Sequence, residues 1–240
     1  MDTEGRTPPE RGVFVVLEGG DGAGKTTQAR LLDRWLSNWG RAHLLTHEPG
    51  DSWLGRRLRE LVLSPDSGPI CAKAETLLYN ADKAQHVAEV VLPALGRGEV
   101  VVSDRYVDST VAYQGAGRSL EPAEVEQVAR WATDDLRPDL TVLLDVVVSE
   151  GAGRLTERDR LESEGEDFHE RVRRHFLDLA GADPEHHLVL DARAPREEIA
   201  ATIRARLAPL VGIGEQFVAP VPPTHPGAGG VSEVDGTMEG

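Results

Sequence analysis

The sequence has one cysteine, few aromatic residues and no long apolar run. The single Cys71 excludes an intramolecular disulfide framework and is typical of proteins from a reducing compartment; we interpret it as a small core residue. Apolar runs such as 13–17 and 140–148 are too short to span a membrane, and residues 1–11 lack the apolar segment of a secretory signal. We therefore expect a cytoplasmic protein without a membrane segment.

Basic residues are also scarce. The chain has 26 Lys and Arg against 41 Asp and Glu, a formal net charge of -15 and a pI of about 4.9. This balance argues against a nucleic-acid partner, and it requires any nucleotide site to concentrate its own Arg and Lys locally. The length of 240 residues suits one α/β domain of ordinary size.

A glycine-rich turn follows the apolar run 13–17. Gly19, Gly24, Lys25 and Thr26 have the G-x-x-x-x-G-K-[ST] spacing, between a predicted buried strand and a predicted helix. In this context backbone N–H groups converge on a polyphosphate, the lysine reaches the β- and γ-phosphates, and the threonine hydroxyl binds Mg²⁺. The competing interpretation is a glycine-rich turn with no ligand. The residues expected to contact the nucleotide phosphates are Gly19, Gly20, Asp21, Gly22, Ala23, Gly24, Lys25, Thr26 and Thr27.

The remaining pattern alternates strands with helices. Further strands are predicted at 42–46, 99–103, 140–146 and 187–191, and helices at 26–39, 52–63, 73–95, 107–133 with a break near 115–117, and 195–210. Such alternation indicates an α/β fold with a mostly parallel five-stranded sheet and helices on both faces. We assign residues 12–211 to one domain, between a flexible segment 1–11 and a disordered tail 212–240 that is rich in Gly and Pro.

Several ordered motifs together resemble the thymidylate kinase family. They are the phosphate loop, Glu48-Pro49-Gly50, the helical segment 79–86, Asp104–Thr110 with Gln114–Arg118, and Asp159–Glu162, and the resemblance covers most of residues 13–210. It implies a three-layer P-loop nucleoside monophosphate kinase fold and transfer of phosphate from ATP to dTMP, giving dTDP, with Mg²⁺. It also suggests a homodimer formed through the long helices after Lys73 and Asp104.

The resemblance assigns roles to individual residues. Lys25 would hold the donor phosphates and Arg105 the acceptor phosphate, while Asp104 would join Thr26 at the metal. A lid at about 149–162 would supply the catalytic Arg154 and Arg158, and Arg160 would hold the lid in place. The Tyr79 ring would stack on the base, and Tyr106 would crowd the ribose 2′ position. The residues expected to bind the acceptor are Asp21, Glu48, Arg59, Tyr79, Lys83, Arg105, Tyr106, Ser109, Thr110, Tyr113 and Gln114.

Two departures from the family pattern leave alternatives open. His47 and Lys83 stand where bacterial members usually have arginine, and neither replaces the bidentate guanidinium fork. A kinase of the same fold acting on another or a modified pyrimidine deoxynucleotide is therefore the alternative. A regulatory NTP-binding module is more remote. GTPases read guanine with an Asn-Lys-x-Asp element, and this chain lacks it, because neither Asn38 nor Asn80 is followed by lysine. A degenerate kinase that acts only as a binding scaffold is the third possibility.

Overall fold

The computed structural model describes residues 11–149 and 159–214. Five strands form one parallel sheet with the order β2-β3-β1-β4-β5. They are β1 (Val13–Glu18), β2 (His43–His47), β3 (Val100–Asp104), β4 (Leu140–Asp145) and β5 (His187–Asp191). All six residues of β1 are buried, because helices cover both faces of the central strand.

Helices connect successive strands. They are α1 (Lys25–Asn38), α2 (Trp53–Leu63), α3 (Ala72–His86), α4 (Leu92–Gly96), α5 (Val107–Thr110), α6 (Pro122–Ala132), α7 (Glu166–Ala182) and α8 (Arg196–Leu207). Two π-helical segments occur, Val87–Val91 between α3 and α4, and Val111–Gly117 after α5. No helix in the described part of the chain is both long enough and apolar enough to cross a membrane.

The core lies on both faces of the sheet. On one face Val15 and Leu17 pack with Leu32 of α1 and Ile203 of α8. On the other face Phe14 and Val16 pack with the helical segment 87–95, while a neighbouring cluster joins β4 to α7. This arrangement of helix, sheet and helix layers confirms the predicted architecture, and it exposes the carboxyl ends of the strands as a common edge.

Helix α7 was not predicted from the sequence. Phe168, Val172, Phe176 and Ala180 recur every four residues and are buried, so the periodic signal for this helix was present. The helix packs on the π-helical segment 111–117 and closes one side of the strand-end edge.

Two predictions differ from the structure, one on burial and one on a boundary. Cys71 is exposed at the start of α3, so its assignment to the core was wrong. Ile213, assigned to the tail, is only 5% exposed, and its N–H donates to Ala208 O at 2.8 Å. The packed domain therefore extends at least to this residue, while the rest of the predicted tail, from 215, and residues 1–10 lie outside the described ranges.

Candidate active site

The phosphate loop lies between β1 and α1. Gly19 has φ of +133°, and a Cβ there would lie 2.4 Å from the carbonyl oxygen of Leu144. Gly24 has φ of +95° at the first turn of α1, a conformation that a larger residue rarely adopts. These two positions explain why the turn requires glycine.

Lys25 is held inside this loop. Its Nζ donates to Gly19 O at 2.9 Å and to Gly20 O at 3.0 Å, and the side chain is buried. Burial, together with the charge of Arg105, lowers the pKa of Lys25. The ammonium group is thereby positioned where the converging backbone N–H groups of the loop would hold a phosphate.

Thr26 and Asp104 form an oxygen pair at the end of β3. Thr26 Oγ1 donates to Asp104 Oδ2 at 3.3 Å, and both are at the surface of the cleft. Within residues 11–149 and 159–214 no group of three His, Cys, Asp or Glu side chains is arranged to hold a metal unaided. Mg²⁺ usually takes only one or two protein oxygens and completes its shell with phosphates and water, so the pair fits this ion.

A cavity of about 670 Å³ surrounds these groups. We call it the phosphate cavity. It is lined by the phosphate loop, by His47 and Asp104 at strand ends, and by Arg59 and Arg105. Four cationic side chains gather here, those of Lys25, Arg30, Arg59 and Arg105, beside the carboxylates of Asp21, Glu48, Asp104 and Glu162. The acidic chain thus concentrates basic residues at this cavity, as the composition required.

Arg105 occupies the junction between the two halves of the site. Its φ of +73° is uncommon for a residue other than glycine, and it turns the chain sharply between β3 and α5. The guanidinium pairs with Asp21 and donates to Ser109 Oγ at 3.1 Å and Gly19 O at 3.3 Å. The arginine is therefore held by contacts on both sides before any substrate enters.

Asp21 is ionised despite its burial. Burial opposes the charged form, but the charges of Arg105 and Lys25 outweigh it and lower the pKa of Asp21. The hydroxyl of Tyr113 donates to Asp21 Oδ2 at 3.0 Å. One carboxylate thus joins the phosphate loop to the π-helical segment 111–117.

A second, tighter cavity of about 130 Å³ adjoins the first. We call it the nucleoside cavity. It is lined by Asp21, Glu48, Pro49, Arg59, Leu63, Tyr79, Lys83, Arg105, Ser109, Thr110, Tyr113, Gln114, Asp159, Leu161 and Glu162. Ten of the eleven residues expected to bind the acceptor are among them, whereas the walls formed by Leu63 and by Asp159, Leu161 and Glu162 were not predicted as acceptor contacts.

Two hydroxyl groups at the wall of this cavity are unusual. Tyr79 Oη and Thr110 Oγ1 are buried and have no hydrogen-bond partner among the described residues. Buried polar atoms are rarely left unpaired in folded proteins, because the loss of water is then uncompensated. Both residues line the nucleoside cavity, so a variant at either position can test whether a ligand pairs with its hydroxyl.

Tyr106 was expected to bind the acceptor nucleotide, but it does not line the nucleoside cavity. Its ring packs edge-on against Phe14 with centroids 5.0 Å apart, and its hydroxyl donates to Leu136 O at 3.0 Å. The side chain is 2% exposed and belongs to the core below the sheet edge. The expectation that it crowds the ribose is not supported by this position, since the left-handed turn at Arg105 directs the next side chain inward.

Glu48 and Lys83 line the nucleoside cavity but bind each other. Lys83 Nζ donates to Glu48 Oε2 at 2.5 Å, and His86 Nδ1 lies 2.7 Å from Glu48 Oε1. Burial opposes ionisation of the carboxyl, but the charge of Lys83 and the hydrogen bond with His86 lower the pKa of Glu48. The departure from arginine at position 83 is therefore accommodated within a buried ion pair, and His86 is a participant that the sequence analysis did not assign.

Glu18 is a second residue that was not assigned. Its Oε1 accepts from Tyr106 N at 2.8 Å and Ser109 N at 3.1 Å, and Ser109 Oγ lies 2.6 Å from Oε2. Burial and the nearby charge of Asp108 raise the pKa of Glu18 to about 7. This carboxyl holds the turn that directly follows Arg105, from Tyr106 to Ser109. An acidic residue at the end of an apolar strand was the available signal.

Glu75 and Arg160 connect the segment after residue 158 to the rest of the site. Arg160 pairs with Glu75 and donates from Nε to Val62 O at 2.8 Å. These contacts tie Arg160 to α2 and α3, and its role in holding the lid stays a prediction. Arg154 and Arg158 lie outside the described residues.

Comparison with known proteins identifies the family. A family model for thymidylate kinases matches residues 17–203, most of the chain. The chain belongs to the thymidylate kinase family. A thymidylate kinase from Cutibacterium acnes is 68% identical over 200 residues, covering 83% of this chain and 98% of the relative. One from Clavibacter michiganensis subsp. michiganensis is 56% identical over 207 residues, covering 85% and 98%.

A solved structure with a similar fold supports this assignment. The crystal structure of thymidylate kinase from Ehrlichia chaffeensis has 28% sequence identity and a TM-score of 0.65, and the match covers 80% of this chain and 96% of that one. The P-loop nucleoside monophosphate kinase fold and the family predicted from the sequence motifs are therefore both confirmed.

Proposed function

We propose that the protein transfers the γ-phosphoryl group of ATP to dTMP, giving ADP and dTDP. The observation that carries the proposal is the junction of the two cavities, which share two arginines and three carboxylates: Arg59, Arg105, Asp21, Glu48 and Glu162. A triphosphate held by the phosphate loop and a monophosphate entering from the nucleoside cavity meet at this junction. Family membership supports the same reaction.

Lys25 and Arg105 provide the charge that this reaction requires. Phosphoryl transfer proceeds through a loose transition state in which charge spreads over the transferred group, so positioning and cations dominate catalysis. Lys25 serves the donor phosphates, and Arg105 holds the acceptor phosphate in line with them. Because Asp21 and Ser109 already orient Arg105, little reorganisation is needed when the acceptor binds.

Thr26 and Asp104 would hold Mg²⁺ with ATP. The ion would neutralise charge on the β- and γ-phosphates when bound. The fit rests on two hard oxygen donors beside the phosphate loop. Titration with EDTA tests it: we expect loss of transfer that MgCl₂ restores, and activity that persists in EDTA would remove the metal from the proposal.

We also propose Arg154 and Arg158 as the lid residues that neutralise the transferred group. The support is the phosphate loop, which contains no arginine, and the three lid arginines within seven residues. Arg154→Met and Arg158→Met, measured separately, would show which one serves: loss of kcat with an unchanged KM for dTMP is expected for the catalytic arginine. If neither variant lowers kcat, the lid assignment is wrong.

The acceptor is tested with a panel of monophosphates. Its members are dTMP, dUMP, dCMP, 5-hydroxymethyl-dUMP and dGMP, each with ATP and Mg²⁺. We expect dTMP to have the highest kcat/KM. A clear preference for another or a modified pyrimidine would establish the alternative, which rests on His47 and on Lys83. The pKa of His47 is lowered, chiefly by burial, so this residue adds little positive charge at pH 7 where an arginine would add a full one.

We propose further that the chain forms a homodimer through α3 and α6. Leu77 and Trp131 are 61% and 81% exposed. A groove between the two helices has a floor of Leu77, Leu120, Val125 and Val128 and is flanked by Lys73, Thr76 and Glu124. Light scattering of the full chain should give twice the mass of one chain, and Leu77→Asp should lower it. The composition, with one cysteine and a net charge of -15, supports a cytoplasmic location and no nucleic-acid partner.

A further inference from the structure

Glu75 forms the centre of a buried polar cluster beside the nucleoside cavity. Its carboxylate is fully buried and receives four donors. Arg118 donates from Nε at 3.0 Å and from Nη2 at 3.1 Å, Gln114 donates from Nε2 at 3.1 Å, and Arg160 pairs with the same group. Four donors around one buried carboxylate fix both its position and its orientation.

The carboxylate restricts the orientation of the Gln114 amide. Burial opposes ionisation, but the hydrogen bonds from Arg118, Gln114 and Arg160 outweigh it and lower the pKa of Glu75. An ionised carboxylate only accepts hydrogen bonds, so the amide must present its NH₂ group to Glu75. The flipped orientation would bring the amide oxygen against the carboxylate and leave a buried acceptor unpaired.

This restriction determines what Gln114 offers to a ligand. The residue lines the nucleoside cavity next to Tyr79 and Thr110 and is 1% exposed. With its nitrogen committed to Glu75, the amide presents its carbonyl oxygen, an acceptor, to the cavity. Thymine carries a donor at N3–H, whereas cytosine carries an unprotonated acceptor nitrogen there. An acceptor fixed in place favours the first base and opposes the second.

We propose that Glu75 is a positioning residue for base selection, which fixes the Gln114 amide so that its carbonyl oxygen accepts from thymine N3–H and rejects cytosine. The inference rests on the proposed function and adds the residue that enforces its specificity. Arg118 and Arg160 keep the carboxylate in position, and Arg160 extends this control to the chain segment that covers the cavity.

The test compares acceptors in Glu75→Gln. A neutral amide at position 75 both donates and accepts, so the Gln114 amide is free to turn. We expect the ratio of kcat/KM for dTMP to that for dCMP to fall about 10-fold, the effect of one buried hydrogen bond. The ratio for dTMP to dUMP should stay within about twofold, because uracil carries the same N3–H group.

Matched variants separate base selection from general loosening. Glu164→Gln removes a different partner of Arg118, 2.5 Å from Nη1, and leaves Gln114 untouched, so it should keep the dTMP to dCMP ratio. Gln114→Met removes the acceptor directly and should lower the ratio as Glu75→Gln does. The double variant should lower the dTMP to dCMP ratio no further, since both changes remove the same interaction between the Gln114 carbonyl and the base.

The outcomes are decisive. Equal losses for dTMP and dCMP in Glu75→Gln, with an unchanged ratio, would make Glu75 a purely structural residue and overturn the proposal. If Glu75→Gln does not fold, as judged by thermal unfolding, Gln114→Met decides alone: an unchanged ratio also overturns it. Failure of the wild-type protein to phosphorylate dTMP would instead contradict the proposed function, so the two results are distinct.

Discussion

The phosphate half and the nucleoside half of the site are built in different ways. The phosphate half is built around one contiguous stretch, residues 19–27, whose turn is held by its own glycines and by Lys25, and which strand-end residues and arginines complete. The nucleoside half is assembled from separate stretches between residues 21 and 162. A local motif performs the chemistry common to many kinases, whereas a tertiary assembly selects the acceptor.

The two halves also differ in enclosure. The phosphate cavity is about 670 Å³, while the nucleoside cavity is about 130 Å³ and includes the buried side chains of Glu48, Lys83 and Gln114, which have fixed partners. Only a tight, desolvated cavity penalises a ligand that lacks the right hydrogen-bonding groups. Variants in the two halves should therefore fail differently, and this difference can be measured.

The largest effect is expected from Lys25→Met. The change removes a buried cation from the donor phosphates, and kcat should fall roughly 10³-fold. The KM for dTMP should change less than about threefold, because the nucleoside cavity is untouched. Steady-state kinetics measure both values, with Arg174→Met, at an exposed cation on α7, as the control. A large rise in KM for dTMP would show that the two halves are not separable.

A smaller loss should follow Arg105→Lys. Lysine lacks the fork that pairs with Asp21 while it reaches Ser109, so kcat/KM for dTMP should fall about 10²-fold. The KM for ATP should stay nearly constant if the arginine serves the acceptor. Arg137→Lys, at an exposed ion pair with Asp135, is the control. A loss confined to ATP would assign Arg105 to the donor half.

Glu18→Gln should change how stability depends on pH. Glu18 has a pKa of about 7 when folded against 4.5 ordinarily, so the folded protein keeps its proton while the unfolded chain loses it. Stability should therefore fall as pH rises from about 4.5 to about 7, by on the order of 3 kcal/mol from this group alone. Glutamine mimics the protonated form and removes this contribution.

Urea unfolding at pH 5.0 and pH 7.5 measures the prediction. The difference in unfolding free energy between the two pH values should be smaller in Glu18→Gln than in the wild type. Asp82, whose pKa burial and the charge of Glu48 raise to about 6, adds a slope of the same sign to both proteins and cancels. Equal slopes in variant and wild type would mean that Glu18 is ionised in the folded protein.

The smallest effects separate two tyrosines of the nucleoside cavity. Tyr113→Phe removes the hydrogen bond to Asp21 at 3.0 Å and should lower kcat/KM for dTMP about 5-fold. Tyr79→Phe removes a hydroxyl without a partner among the described residues and should change it less than about twofold. A larger effect for Tyr79→Phe would place a polar group of the acceptor against that hydroxyl.

The sequence predicted most of the framework correctly. The five strands were recognised because buried parallel strands are continuous apolar runs, and the phosphate loop because its glycines and lysine lie at fixed spacings. Helix α7 was missed although Phe168, Val172 and Phe176 recur at helical spacing, so that omission was avoidable. Cys71 was misplaced because small residues at helix starts carry no local signal of burial.

The site was harder to predict where residues act on one another. Tyr106 directly follows Arg105, yet its ring lies in the core, since one left-handed backbone angle decides the direction of the next side chain. Glu75 and Gln114 are 39 positions apart and meet only through the packing of α3 on the π-helical segment. No spacing rule connects such a pair.

The sequence alone determined the fold class, the family and the donor half of this protein, because strands, helices and the phosphate loop depend on short-range periodicity and backbone freedom. The tertiary structure decided the acceptor half. Whether Lys83 reads a base or neutralises Glu48, and which face of the Gln114 amide meets the ligand, depends on buried partners that are distant in sequence. In a desolvated cavity those partners fix both charge and direction, and these set the specificity.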